Sequence, residues 1–321
     1  MSFIHTVLIT GGTTGLGFYC ALTIAREHPE YLVVIASRTD PNSAAVTINK
    51  TLGQENVKYL PLDLSNLAKI RSFVKEWEAR TFPSINTLLL NAGLQFPEGL
   101  HKTDDGLEAS FGINHVGHAL LLFLILPHMV NEARVILTTS GVHDPAQNNG
   151  GYPPPQYTNP EELAYPAPED TKLDSRWHYS TSKLANVLWT YALHRRFAAA
   201  VGKNMTVNAF CPGLMPGTGL ARQYSAPRRW IWRNILPRIL PLLRLVICPN
   251  IHSPQESGPI LAWLATSTDT KAVSGEYYEG RKRIKSSMES YDERKQDELW
   301  EWTVKAVAMN QEEIIKFQKA E

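Results

Sequence analysis

The sequence predicts an α/β fold: a doubly wound parallel sheet of about seven strands with helices on both faces. Three observations predict it. Short β-branched runs alternate with longer helical stretches along most of the chain. Most of these runs are continuously apolar rather than alternating, as expected of strands covered on both faces. The first run passes directly into a glycine-rich turn that opens a helix, TVLITGGTTGLG.

The strand candidates, in order, are TVLIT (6–10), YLVVIAS (31–37), VKYLPL (57–62), INTLLLN (85–91), ARVILTTS (133–140), MTVNAF (205–210) and a weaker GEYYEG (275–280). Helical patterning covers 15–27, 66–79, 104–126, 177–200 and 255–266. The whole chain, 1–321, reads as a single domain with three additions to the alternating pattern. A Pro-, Gly- and Asn-rich insert spans about 143–170, and a basic, aromatic segment interrupted by proline lies within about 214–254. A charged, Trp-containing terminal helix follows over about 284–321.

Bulk properties narrow the function. With 321 residues, 43 % apolar and 20 % charged, the chain has enough material for a sizeable core. The formal net charge is +1, and no Lys/Arg run is interleaved with aromatics, so no nucleic-acid surface is expected. Cys20, Cys211 and Cys248 form no CxxC or His–Cys cluster. That argues against a disulfide framework or a metal site and fits a reducing, cytoplasmic setting. MSFIHTVLIT shows no secretory pattern, and ALLLFLIL (119–126) is too short to span a bilayer and reads as a buried helix.

The glycine turn carries Gly11, Gly15 and Gly17, with Thr13, Thr14 and Leu16 between them. Glycines allow the tight turn and let backbone N–H groups and a helix N-terminus approach a pyrophosphate. The second strand ends in Ser37 and Arg38 instead of a carboxylate. A hydroxyl and a guanidinium suit a 2′-phosphate, so NADP(H) is expected over NAD, with Asp40 as the one residue favouring the alternative. Asp63 and Leu64 end the third strand, where Asp63 is placed to accept from an adenine amino group. Asn91, Ala92 and Gly93 end the fourth, on the ribose side.

In WHYSTSKLANVLWT (177–190), Tyr179 and Lys183 are four residues apart and share a helical face. A tyrosine acting as acid or base near neutrality needs its pKa lowered, and a neighbouring ammonium does that. Ser140 ends the fifth strand, where its hydroxyl can hold a carbonyl or alkoxide oxygen. Asn114 lies in a helix, placed to fix a water joining Lys183 to solvent.

The segments TGGTTGLG, LDLS, NAG, GINHVGHALL, TTS, YSTSK and NAFCPG together resemble the short-chain dehydrogenase/reductase family, in its order, over about residues 5–220. The resemblance implies a Rossmann-type NAD(P)-binding domain and a catalytic tetrad of Asn114, Ser140, Tyr179 and Lys183. It implies that Tyr179 gives the proton and NADPH the hydride, while Lys183 binds the nicotinamide ribose. Pro212 and Gly213 would also contact the cofactor. The threonine usual after that PG would fall at Gly217, so Thr218 is the expected substitute. NHVGHALLLFLIL and YSTSKLANVLW are similar to retinol dehydrogenases and light-dependent protochlorophyllide reductases, while PGLMPGTGL, PQESGPILAWLA and SGEYYEG are similar to the protochlorophyllide reductase branch and the reductases related to it. The cysteine-containing pigment segment of the latter has no equivalent here, which favours carbonyl chemistry.

Ser140 and Tyr179 are 39 residues apart in the numbering, longer than is common in the family. The insert accounts for this and is expected to wall the substrate site. APRRWIWRNILPRILPLLRLVIC (226–248) reads as a lid over a bulky apolar carbonyl compound, with plain packing or peripheral membrane contact as alternatives. Reduction of a conjugated C=C bond and a silent NADP-binding regulatory role stay open as alternatives. Homo-oligomerisation also stays open, because the terminal helix could cover the Tyr179 helix, through which many relatives pair.

Overall fold

The computed structural model describes residues 3–147, 151–167, 174–200, 202 and 204–320. Its strands are β1 (His5–Thr10), β2 (Tyr31–Ser37), β3 (Val57–Pro61), β4 (Ile85–Leu90), β5 (Met129–Thr138), β6 (Thr206–Cys211), β7 (Glu276–Glu279) and β8 (Lys282–Ile284). They form one sheet in the order β3-β2-β1-β4-β5-β6-β7-β8. Every pairing is parallel except β7 with β8. The seven expected strands are all present. The eighth escaped notice because KRI is three residues long and mostly charged, a composition that suits an exposed sheet edge but leaves no periodic signal.

The helices are α1 (Gly15–Glu27), α2 (Ala44–Leu52), α3 (Leu67–Glu78), α4 (Ala109–Phe111), α5 (Gly117–Ile125), α6 (Pro160–Ala164), α7 (Arg176–Ala199), α8 (Ala226–Asn234), α9 (Leu240–Val246), α10 (Pro254–Thr266), α11 (Glu293–Val307) and α12 (Gln311–Gln318). The short α2 was not anticipated; it buries only Ala44, Ala45 and Ile48. The helix expected over 104–126 begins at Ala109, because the Glu108 carboxylate accepts from Ser110 N at 2.9 Å and Phe111 N at 2.6 Å. A π-helical turn, Gly112–Val116, joins α4 to α5. This run is long and apolar enough to cross a membrane by composition, but it is buried in the core.

The single helix expected over 284–321 is instead a strand end, a 3₁₀ turn (Met288–Tyr291), α11 and α12. Two capping residues divide it. Asp292 accepts from Arg294 N at 3.0 Å, and Asn310 accepts from Glu313 N at 2.9 Å. In the insert, Asn159 caps the short α6 through Glu162 N. Residues 148–150 and 168–170 of the insert lie outside the described residues.

Strand side chains alternate between two apolar layers. Leu8, Val34, Leu88, Val135 and Leu137 face the layer of α3, α5 and α7. Val7, Ile9, Val33, Ile35, Leu89 and Ile136 face that of α1 and α10. Each such fully buried side chain is worth about 1.5–3 kcal/mol relative to exposure. On the far side of α7, Trp300 of α11 stacks on Trp189 at 4.6 Å, and Phe317 of α12 stacks on Phe123 at 4.6 Å. Arg71 of α3 holds the same extension through Glu313 (2.7 Å) and the Val307 carbonyl (2.7 Å).

The chain runs outward from β1 to β3, then crosses back to β4 and runs outward the other way. The carboxyl ends of β1 and β4 are therefore a topological switch point, where a crevice must open.

Candidate active site

A cleft of about 770 Å³ lies at that switch point. Of the site residues singled out in the sequence, all but Asn114 and Asp40 line it: the glycine turn, Ser37, Arg38, Asp63, Leu64, Asn91–Gly93, Ser140, Tyr179, Lys183, Pro212, Gly213 and Thr218.

The turn is built for close approach. Gly11 has φ +68°, and a Cβ on it would lie 2.9 Å from Ala92 Cα. A Cβ on Gly17 would meet the Gly11 carbonyl oxygen at 2.4 Å and Asn91 Nδ2 at 2.8 Å. Gly12, overlooked in the sequence, is as crowded: its Cβ would meet Ile35 at 2.6 Å. Thr10, also overlooked, fastens the opposite rim. Its hydroxyl accepts from Asn91 N at 2.8 Å and Ala92 N at 2.9 Å. Asn91 donates to the Thr10 carbonyl at 2.9 Å and accepts from Thr138 Oγ1 at 3.2 Å, tying three strand ends together. A rigid, side-chain-free cradle beside a helix N-terminus fits a dinucleotide pyrophosphate.

At the adenosine end, Asp40 is turned away. Both of its carboxylate oxygens accept from Ala44 N at 2.8 Å, at the start of α2. Arg38 lines the cleft, and among the described residues no carboxylate pairs with it. Asp63 accepts from Ser65 Oγ at 2.6 Å and Lys69 Nζ at 2.9 Å. Burial raises its carboxyl, but Ser65 and Lys69 outweigh this and hold it below the usual range. Much of the capacity expected for an adenine amino group is thus already in use. Thr218 lies opposite Gly15, its methyl 3.7 Å from where a Cβ there would be, and its hydroxyl donates to the Met215 carbonyl at 2.9 Å.

Tyr179 and Lys183 sit side by side on α7, with Nζ 5.5 Å from the phenol ring centroid. Burial pushes the Tyr179 phenol well above its ordinary range; Cys211 adds to this and the Ser140 hydroxyl opposes it. Burial also pushes the Lys183 ammonium down to about 8. Nζ donates to the Thr138 carbonyl at 3.0 Å, and Thr139 Oγ1 returns a bond to the Lys183 carbonyl at 3.1 Å, locking α7 to the end of β5.

Asn114 stands behind this wall, fully buried. Its amide donates to the Leu94 carbonyl and Ser182 Oγ, both at 3.0 Å, and its Oδ1 accepts from Leu94 N at 3.0 Å. The expected water-holding side chain is therefore committed to the Leu94 backbone and the Ser182 hydroxyl, with both amide protons spent. It is still close: a Cβ on Gly93 would lie 3.4 Å from Lys183 Nζ and 3.5 Å from Asn114 Oδ1.

Two histidines behind the site carry no signal in isolated sequence. His118 Nδ1 meets the Asn114 carbonyl at 3.0 Å, and Nε2 meets Thr10 Oγ1 at 2.9 Å. A carbonyl only accepts, so Nδ1 bears the proton and Nε2 accepts from Thr10. His143 is fixed the same way, with Nδ1–H donating to the Ser140 carbonyl (2.8 Å) and Nε2 accepting from Ser287 N (3.1 Å). Burial holds both imidazoles down, His118 to about 4.

The outer cleft is lined by Val142, Tyr152, Leu220, Ile247, Cys248 and Ile284. Tyr152, from the insert, has its ring 6.0 Å from that of Tyr179 and donates to Gln95 Oε1 at 2.9 Å. Cys211 and Cys248, given no site role from the sequence, both line the cleft; burial pushes both thiols up, so they stay protonated.

Comparison with known proteins bears on the family and the fold. A family model described as short chain dehydrogenase matches residues 5–152, and one described as AcuH dehydrogenase domain matches 221–315. Retinol dehydrogenase 14 of Mus musculus is 31 % identical over 310 residues, spanning 92 % of this chain and 84 % of that protein. The chain belongs to the short-chain dehydrogenase family. It is thus an oxidoreductase of a family that uses a nicotinamide cofactor. Polyprenol dehydrogenase of Homo sapiens is 29 % identical, spanning 92 % of this chain and 83 % of that one. Short-chain dehydrogenase TIC 32 B, chloroplastic, of Brassica napus is 28 % identical, spanning 94 % and 88 %. Among solved structures, a short chain dehydrogenase from Salmonella enterica serovar Typhi aligns with TM-score 0.60 at 18 % identity, covering 87 % of this chain and 97 % of that one. That likeness bears on the fold alone. The cytoplasmic setting expected from the cysteines gains no support from these family members, one of which is named as chloroplastic.

Proposed function

We propose that this short-chain dehydrogenase is NADP-dependent and interconverts a carbonyl and an alcohol on a bulky apolar molecule. The observation that carries the reading is the convergence of Tyr179, Lys183 and Ser140 on one cleft with the Gly11–Gly17 cradle. When bound, the nicotinamide supplies or accepts the hydride. Tyr179 gives its phenolic proton to the carbonyl oxygen, and Ser140 holds that oxygen by hydrogen bonding. The Lys183 ammonium, 5.5 Å from the phenol ring centroid, stabilises the phenolate left behind. Asn114 acts at one remove, fixing the Leu94 backbone beside Gly93.

Arg38, without a carboxylate partner, and Asp40, tied to α2, together favour a 2′-phosphate at the adenosine end. Val142, Leu220, Ile247 and Ile284 at the outer cleft favour a large apolar substrate, in keeping with the retinol and polyprenol for which relatives are named. The test is Tyr179→Phe, assayed by NADPH oxidation against bulky ketones and enones. Turnover should fall by about 10²-fold or more with NADPH affinity unchanged; retained turnover would remove Tyr179 from the chemistry. With deuteride-labelled NADPH the label should appear on a carbinol carbon, and label on a former alkene carbon would refute carbonyl reduction.

A further inference from the structure

The segment 214–254 is anomalous in three independent ways. Its helices have almost no buried face: α8 buries no residue and α9 only Leu243. Helices of nine and seven residues are marginal in water without tertiary cover, so the ordinary packed pair is not what is found. Instead polar bonds hold it. Within the segment Trp232 Nε1 donates to the Thr218 carbonyl at 3.0 Å and Arg244 Nε to the Ile251 carbonyl at 2.6 Å, and outside it Arg222 donates to the Gly93 carbonyl at 3.0 Å and Arg244 to the Glu256 carboxylate at 2.8 Å.

The second anomaly is where the apolar surface lies. Trp230 (58 % exposed), Ile231 (44 %), Ile235 (39 %), Leu242 (54 %), Leu245 (84 %) and Val246 (70 %) all face solvent within this one stretch. The other exposed large apolar side chains among the described residues are scattered over the rest of the molecule. Scattered ones need no explanation; a cluster marks a contact surface.

The third is charge. The segment carries Arg222, Arg228, Arg229, Arg233, Arg238 and Arg244, and no Asp, Glu or Lys. Only Arg244 has a close carboxylate partner among the described residues, Glu256 at 2.8 Å; Arg228 meets Glu98 at 3.9 Å.

We propose that α8 and α9 dock on an anionic lipid bilayer, arginines toward the headgroups and the exposed aliphatic side chains and Trp230 toward the acyl boundary. The combination selects this partner. In a twofold dimer the same patch would face itself and set arginine against arginine without a carboxylate between. A polyanion such as nucleic acid would satisfy the arginines but leave Leu242, Leu245 and Val246 without gain. A bilayer interface answers both, since binding there rises with buried apolar area and with basic charge near anionic headgroups.

The same segment lines the cleft with Leu220, Arg233, Ile247 and Cys248. On the catalytic reading proposed above, on which this last point rests, the cleft mouth then opens toward the membrane and an apolar substrate enters without crossing water.

The experiment is vesicle co-sedimentation of the full chain with phosphatidylcholine alone and with added phosphatidylserine, at low and high salt. Binding is expected to require phosphatidylserine and to weaken with salt. Arg228→Gln with Arg238→Gln should lower partitioning about 25-fold, roughly fivefold per arginine. Leu245→Glu should lower it about tenfold or more. All three side chains are largely exposed, so folding should be unchanged, checked by the melting temperature. NADPH oxidation with a water-soluble ketone should be unaffected, which separates failure of docking from failure of the catalytic reading. No binding to anionic vesicles, or equal binding by wild type and Leu245→Glu, overturns the proposal. Sedimentation velocity showing a dimer that Leu245→Glu dissociates, with vesicles ignored, overturns it in favour of self-association.

Discussion

Arg38→Gln is expected to separate the two nicotinamide dinucleotides. Arg38 is the first residue past β2 and lines the cleft, with no carboxylate to neutralise it among the described residues. Arg222 lines the same cleft and donates to the Gly93 carbonyl at 3.0 Å; desolvation and then the Arg38 charge hold its guanidinium below the usual range. Two cations facing one cavity favour an anion there. A hydrogen bond to a charged group is worth about 1.5–3 kcal/mol, which is roughly 10- to 150-fold in affinity. Arg38→Gln should therefore raise the NADPH Kd by roughly that factor while leaving the NADH Kd within about twofold. Titrating the nicotinamide fluorescence measures both constants on the same preparation. Asp40→Asn is the control: its oxygens are occupied by Ala44 N, so it should change neither ratio. Equal losses for NADPH and NADH would refute the assignment of Arg38 to the 2′-phosphate, as would a marked gain of NADPH preference in Asp40→Asn.

Other outcomes follow from the same geometry. Gly17→Ala places a methyl 2.4 Å from the Gly11 carbonyl oxygen, so it should cost about 1–3 kcal/mol of stability and abolish measurable NADPH binding; normal binding would contradict the cradle. Burial holds His115 down to about 3, while in the unfolded chain it titrates near about 6.5. The unfolded state thus takes up the extra proton, so stability is full above about pH 6.5 and falls below it, by about 2 kcal/mol from His115 on reaching about pH 5. In urea denaturation, His115→Phe should be the less stable at about pH 7.5, because Thr303 Oγ1 loses its 3.0 Å partner, and the gap should narrow by about 2 kcal/mol at about pH 5; an unchanged gap would refute the linkage.

Much of the architecture was legible because its signals are local. Continuous apolar runs marked most strands of the parallel sheet, β7 more weakly, and Gly11, Gly15 and Gly17 marked the turn. The spacing of four put Tyr179 beside Lys183 on α7. What stayed hidden depends on contacts across the chain. Nothing near Asp40 in sequence shows that its carboxylate turns to α2, or that the Asn114 amide is spent on the Leu94 backbone. His118 and His143 act through partners 108 and 144 residues away. The divided terminal helix was the readable miss, because Asp292 and Asn310 are ordinary capping residues.

His143 donates to the Ser140 carbonyl while its other nitrogen receives the Ser287 amide, and Trp300 covers the back of α7 at Trp189. Ribosomal synthesis therefore delivers every motif residue before it delivers the parts that steady them. A chain ending before Ser287 would carry Ser140, Tyr179 and Lys183 yet lack the Trp300 and Phe317 rings that cover Trp189 and Phe123, exposing apolar surface that favours aggregation. Within this chain the residues that steady the site thus lie C-terminal to the motif residues, and truncation before Ser287 should cost the site its support.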